Sequence, residues 1–350
     1  MKILAIETSC DETAIALLEG RTGLLKLEQN LIYSQIAIHQ KYGGVVPELA
    51  ARKHAETIVP LLSEALGKDR LKKVDYLAVT AGPGLITSLL SGITMAKTLA
   101  YVNNKPLCGI NHIEGHIYSN WLSNKELVRA PKKYFPALIL IVSGGHTELV
   151  FMRGHGRYQL LGQTLDDAAG ECFDKVAKLL SLGYPGGPII SQLAAKGNSR
   201  AYYFPRPMIS SRDYNFSFAG LKTAVLYTLE KKRKIYRKDL ADLCASFQQA
   251  VIEVLVAKTI KASQVYKVKA VLVGGGVAAN KHLLASLQQA CQKEKKPFFY
   301  PQIRSTGDNA AMIAVAAYYG LVSKRARVLK GREVFGIKPN PNWQLTKNKL

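Results

Sequence analysis

Apolar and polar positions fall into blocks that read as a repeated strand–turn–strand pattern. Residues 2–6 (K-I-L-A-I) are an apolar run, 7–13 (E-T-S-C-D-E-T) a polar turn, and 14–18 (A-I-A-L-L) a returning run. The arrangement recurs as P-A-L-I-L-I-V at 136–142, the turn S-G-G-H-T at 143–147, and E-L-V-F-M at 148–152. Each block predicts a β-hairpin. Two such hairpins predict an internal duplication, with each hairpin opening one α/β lobe.

The rest of the chain alternates strands and helices. D-Y-L-A-V-T at 75–80 predicts a strand, followed by the turn A-G-P-G at 81–84 and a helix to about Tyr101. A short strand at 106–110 leads into a helix near Asn111, and 122–135 reads as a polar connection between lobes. Helices are predicted over 165–182, 239–265 and 308–322, and V-L-V at 271–273 runs through G-G-G at 274–276 into another. The predicted organisation is a first lobe at 1–134, a second at 135–307, and a C-terminal helix and basic tail at 308–350 packing back on the first. The last dozen residues read as frayed.

Charge adds a direction. Of 48 Lys+Arg and 25 Asp+Glu, residues 196–350 hold 28 and 8. A basic half on a chain with enough apolar residues for a core points to a polyanionic partner, most simply nucleic acid. No charge-free apolar run reaches the roughly 18–20 residues of a bilayer helix, which predicts no membrane association. Glu7, Asp11 and Glu12 stand where a signal peptide is apolar. Five cysteines without a C-x-x-C pair read as reduced thiols of a cytoplasmic protein.

Several short segments carry chemistry. In N-H-I-E-G-H at 111–116, His112 and His116 lie about 40° apart on a helix, so both imidazoles can reach one ion. Glu114 sits about 200° round from His112, unlike the general base of an H-E-x-x-H zinc protease. A third ligand must come from elsewhere, and Asp308 is a candidate; a structural histidine pair is the alternative. The glycines of S-G-G-H-T let backbone N–H groups approach an anion. G-G-G-V-A-A-N at 274–280, a strand end opening a helix with Asn280 as a donor, suits a phosphate or nucleoside. It has neither dinucleotide-fingerprint nor P-loop spacing. D-D-A-A-G-E-C-F-D-K at 166–175 places Asp166 and Asp167 where they would cap a helix, with Glu171 and Asp174 further in. Asp11 and Glu12 sit at a hairpin tip, where acids are usually solvated.

Together with Y-G-G-V-V-P-E-L-A-A-R-K-H at 42–54, G-P-G-L at 82–85, Y-P-G-G-P at 184–188, F-S-F-A-G-L-K-T at 216–223 and D-N-A-A-M-I-A at 308–314, these motifs resemble, in order and over nearly the whole chain, the TsaD family of tRNA N6-adenosine threonylcarbamoyltransferases. The resemblance implies an α/β, actin/sugar-kinase-like (ASKHA) fold of two duplicated lobes around a nucleotide cleft. It implies transfer of a threonylcarbamoyl group from threonylcarbamoyl-adenylate to N6 of the adenosine 3′ of the anticodon, in tRNAs reading codons that start with A, releasing AMP. Carried over by position, His112, His116 and Asp308 would hold one divalent metal, Fe(2+) or Zn(2+). The backbone of Ile141, Val142, Ser143, Gly144 and Gly145 would cradle the substrate. Asp174, Gly187 and Asn280 would contact its nucleoside or threonyl part, and Asp11 and Glu12 would face the reacting centre. A Gly precedes Asp308 where many members read T-D-N. The implied partners are tRNA and TsaB- and TsaE-like proteins. Basic residues at 231–234, Arg237, Lys238 and part of 324–332 are expected to meet tRNA phosphates. The rival readings are a phosphoryl-transfer enzyme on the same fold, a metalloprotease and a non-catalytic tRNA-binding scaffold.

Overall fold

The computed structural model describes residues 1–67, 70–231 and 237–346. The chain divides into two compact units. Unit 1 comprises Met1–Tyr134, Arg153–Tyr158 and the chain from Pro301; unit 2 comprises Phe135–Met152 and Gln159–Tyr300. Residues 301–307, grouped with the second lobe on sequence, thus cluster with the first unit, as does the short segment at 153–158.

The first hairpin is the opening of a three-stranded meander: β1 (Lys2–Glu7), β2 (Glu12–Arg21) and β3 (Leu24–Ser34). β4 (Tyr76–Gly82) lies parallel to β1 and β5 (Leu107–Asn111) parallel to β4. The second hairpin starts the same way, with β6 (Ala137–Val142), β7 (Thr147–Gly154) and β8 (Arg157–Gln163). β9 (Ala270–Gly274) then lies parallel to β6 and β10 (Phe298–Phe299) parallel to β9. Among the described residues the orders are β5-β4-β1-β2-β3 and β10-β9-β6-β7-β8, with β11 (Val328–Leu329) added outside β5. The matching orders give the duplication a structural form.

In unit 1, α1 (Pro47–Leu66), α2 (Ile86–Val102) and α3 (His112–Ser123) cover the sheet together with the last helix, α9 (Ala310–Val322). α9 is apolar all round and buried from Ala310 to Tyr319, as a helix without a polar face must be. The tail is not frayed where it is described. The Asn340 N–H donates to the Ala81 carbonyl at 2.7 Å and Asn111 Nδ2 donates to the Trp343 carbonyl at 3.0 Å.

Unit 2 packs α4 (Ala169–Leu179), α5 (Gly186–Ala194), α6 (Ala219–Glu230), α7 (Arg237–Val265) and α8 (Lys281–Lys293) around its own core of Leu140, Phe173, Phe218 and Phe247. By length and composition part of α7 could cross a membrane, but 67% of that stretch is buried inside the fold. Its Lys258 is itself buried and donates to Ser211 Oγ at 2.8 Å. α4 starts later than the sequence suggests, so Asp166 does not cap it. Its carboxylate instead accepts from the Phe218 N–H at 2.7 Å and the Ser217 hydroxyl at 2.5 Å, at the head of α6.

The G-G-G turn fixes the end of β9. Gly275 has φ +94°, and a Cβ there would stand 2.3 Å from the Val142 carbonyl oxygen, whereas one on Gly276 would meet nothing within 4 Å. Gly275→Ala therefore combines a left-handed backbone with a backbone clash and should destabilise unfolding equilibria by about 2–4 kcal/mol. Gly276→Ala should sit within about 1 kcal/mol of the parent. Equal denaturation midpoints for the two variants would contradict this account.

Candidate metal centre and donor pocket

The metal candidates sit at the heads of two helices whose caps are built into the same dipeptides. Asn111 Oδ1 accepts from the Ile113 N–H at 2.9 Å, starting α3 at His112, and Asn309 Oδ1 accepts from the Met312 N–H at 3.0 Å, starting α9 just after Asp308. Gly115 lets the helices approach, since a Cβ there would lie 2.7 Å from Ile313 Cδ1. The result joins the remote Asp308 to two histidines one helical turn apart. Ligand atoms of His112, His116 and Asp308 all lie within 4.8 Å of one another. Asp308 Oδ1 is 3.4 Å from His112 Nε2 and 3.2 Å from His116 Nε2.

The donor set fits a divalent cation. Among the described residues, buried His116 has no hydrogen-bond partner at Nδ1, and its Nε2 faces the Asp308 carboxylate alone, an arrangement that is costly unless something else satisfies the ring. Burial alone would lower the His112 pKa, but the charges of Asp308 and Glu7 outweigh it and raise it well above the ordinary value. Burial opposes ionisation of Asp308 too, yet the two histidines hold it well below the usual carboxylate range. Both shifts have one cause: the carboxylates favour a positive charge among them, which a protonated His112 or a bound cation can supply.

Asp11 and Glu12 belong to the same neighbourhood and are not a solvated hairpin tip. Asp11 is only 8% exposed. Burial, then the charges of Asp308 and Asp11, push the Glu12 carboxyl well above its ordinary range. The turn is clamped from outside. The His54 imidazole is 3.0 Å from the Cys10 carbonyl and 2.8 Å from Thr13 Oγ1, and Thr8 Oγ1 donates to the Ser88 carbonyl at 2.8 Å. His54 had no role on sequence. Only its place at the end of the 42–54 motif signalled it.

Glu114 points away from the metal ligands, as its helical angle predicts, and accepts from the Tyr158 hydroxyl at 2.8 Å. Burial pushes its carboxyl up to about 7 from an ordinary value of 4.5. The folded state therefore holds this proton more tightly than the unfolded chain, and stability falls as pH rises from about 4.5 to about 7. Glu114→Gln keeps the acceptor and should remove that decline. Because Glu114 keeps some exposure, the expected gain over the parent is about 1–2 kcal/mol on going from pH 5 to 7.5. Parallel urea-unfolding profiles for the two proteins would count against it.

The predicted substrate residues lie in unit 2. Gly144, Asp174, Gly187 and Asn280, from four separate segments, line one cavity of about 1110 Å³. Ile141 and Val142 are fully buried at the end of β6, and Ser143 and Gly145 flank Gly144 without lining the cavity. Neither Gly144 nor Gly145 has an atom within 4 Å of where a Cβ would stand, so the loop is open to a ligand. Asp174 Oδ1 accepts from the Gly186 N–H at 2.7 Å, which shapes the Y-P-G-G-P turn. Asn280 is more occupied than a free donor: Oδ1 caps α8 and Nδ2 donates to Gln248 Oε1 at 2.7 Å. Gln248, Lys196 and Ser199 also line the cavity, and no sequence motif marked them.

Comparison with known proteins identifies the family and the fold. A family model described as "TsaD: tRNA N6-adenosine threonylcarbamoyltransferase" matches residues 26–315. A protein of that name from Thermosipho melanesiensis is 49% identical over 347 residues, covering 99% of this chain and 100% of its own. Its namesake from Ralstonia pickettii is 45% identical over 351 residues, covering 99% and 98%. Among solved structures, T. kodakarensis HypF matches with a TM-score of 0.63 at 14% identity, over 92% of this chain and 48% of that one. Full-length HypF in a phosphate- and nucleotide-bound form matches at 0.57 and 12%, over 92% and 46%. The chain thus spans about half of HypF, and the likeness shows the fold alone, of the actin/sugar-kinase-like kind.

Proposed function

The chain belongs to the TsaD family of tRNA N6-adenosine threonylcarbamoyltransferases, and we propose that unit 1 carries its metal ligands and proton-handling carboxylates while the cavity of unit 2 receives the nucleotide of the donor. The enzyme modifies tRNA, transferring threonylcarbamoyl from threonylcarbamoyl-adenylate to the adenosine N6. The observation that carries the catalytic assignment is the convergence of His112, His116 and Asp308 beside Asp11 and Glu12.

The donor is a mixed carbamic–phosphoric anhydride and is already activated. The adenine amine is a poor nucleophile because its lone pair is delocalised into the ring. The amine must be held against the carbonyl, and a proton removed as the C–N bond forms and the C–O bond to phosphate breaks, releasing AMP. Glu12, with Asp11 beside it, takes that proton. Gly144 and Gly145 offer backbone N–H groups to the donor, and Asp174, Gly187 and Asn280 shape its pocket. His112, His116 and Asp308 would hold Fe(2+), with Zn(2+) as the competing ion, a two-histidine, one-carboxylate set that suits either. When bound, the ion supplies Lewis-acid polarisation and an anchor for the donor.

The tRNA meets exposed basic residues. Lys324, Arg325, Arg327, Lys330 and Arg332 are all exposed. Of the predicted contacts around 231–238, residues 232–236 lie outside the described residues, while Lys231 and Lys238 are exposed. TsaB- and TsaE-like proteins are the expected partners. All five cysteines are free, in keeping with a cytoplasmic location.

The test is mass spectrometry of nucleosides from an A-codon-reading tRNA incubated with the protein and threonylcarbamoyl-adenylate, with and without the two partners. Threonylcarbamoyl-adenosine should appear. ATP hydrolysis with no transfer to RNA would favour the phosphoryl-transfer reading instead.

A further inference from the structure

Glu7 ends β1 and is completely buried. Its Oε1 accepts from the Ser9 N–H at 2.5 Å, and its Oε2 accepts from the Thr80 hydroxyl at 2.5 Å. The register brings Thr80 there, because β4 runs parallel to β1 with Ile6 opposite Val79. The same Oε2 is 3.2 Å from Nδ1 of His112, which also lies 3.0 Å from Ser9 Oγ. The other nitrogen of that ring, Nε2, faces Asp308.

A carboxylate only accepts hydrogen bonds, so it selects the imidazole form that carries its proton on Nδ1. That leaves the Nε2 lone pair directed at the cluster. We propose that Glu7 is a positioning residue of the metal centre: it fixes the tautomer and orientation of His112 and makes Nε2 a better ligand. Thr80 and Ser9 hold the carboxylate in turn. Carboxylates placed behind metal-bound histidines act in this way, and removing one typically weakens metal binding 10–100-fold. The E-T-S segment at 7–9 thereby gains a function separate from that of Asp11 and Glu12 in the same turn.

The inference rests on the reading of His112, His116 and Asp308 as a metal site, and the experiment separates the two. Zinc affinity of the full chain is measured by competition with a chromophoric chelator, for the parent, Glu7→Gln and Thr80→Val. The parent should bind one ion per chain. Glu7→Gln, which keeps the shape but loses the charge, should bind about 10–100-fold more weakly. Thr80→Val, which removes one bond to the carboxylate, should lose about threefold. A parent that binds no zinc overturns the metal reading itself. A parent that binds while Glu7→Gln matches it within twofold overturns the role of Glu7 alone. If Glu7→Gln does not fold, Thr80→Val decides: a measurable loss supports the role and unchanged affinity refutes it.

Discussion

Glu12→Ala should slow threonylcarbamoyl transfer to tRNA by about 10²–10⁴-fold while the adenylate still binds. The adenine amine must shed a proton as it attacks. Glu12 is a carboxyl in the described neighbourhood whose affinity for a proton is raised, by burial first and then by Asp308 and Asp11. A base with a pKa lifted toward the working pH transfers protons better than an ordinary carboxylate. The lifting also sets the pH dependence. Because the protonated form is favoured, the parent's transfer rate should fall as pH drops through the raised pKa, and the Glu12→Ala variant should lose that limb. Single-turnover transfer across pH is the measurement, with adenylate binding followed by calorimetry. Near-normal single-turnover transfer would refute the role. Loss of adenylate binding together with transfer would move Glu12 from proton transfer to donor recognition.

Asp308→Ala should abolish stoichiometric metal and reduce transfer by at least about a hundredfold. Its Oδ1 lies within 3.4 Å of Nε2 on both histidines, and it is the anionic member of the three. Without it, two imidazoles remain with no negative charge between them, and the attraction that raises the His112 pKa loses its largest favourable contribution. The helix should survive, because α9 is capped by Asn309 and not by Asp308. A fold probe such as circular dichroism therefore separates lost metal from lost structure. Elemental analysis after dialysis should find metal in the parent and little in the variant. Chelator treatment of the parent should reproduce the transfer defect, and added metal should reverse it. A variant that keeps full metal content would exclude Asp308 as a ligand.

How much of this was legible beforehand varied with the range of the interaction involved. The opening hairpins were visible because both strands of each are apolar and the turns between them polar. Their third strands were not. β3 spans Leu24–Ser34, where polar residues interrupt every apolar run and every residue is exposed or half-buried. It owes its place to pairing with β2 across ten residue pairs. The acids at 166–167 show the same limit. Their composition suggested a cap for the helix that follows, but Asp166 bonds to the head of α6, 52 residues further on. The charge asymmetry was real but did not follow the units, since the basic segment at 324–332 belongs to the unit that contains the N-terminus.

The sequence by itself determined what is set by local geometry: the spacing that puts His112 and His116 on one helix face, the angle that keeps Glu114 off it, and the ordered motifs that resemble one family. Only the tertiary structure decided which remote groups meet them. Asp308 reaches the histidines because α9 is an all-apolar helix buried against α3 at Gly115. Glu7 reaches His112 because the parallel register of β1 and β4 sets the carboxylate between Thr80 and the ring. Such convergences depend on burial and strand register over the whole unit: the motif at 308–314 marked Asp308 as a candidate but not its distance from the histidines, and nothing local marked Glu7.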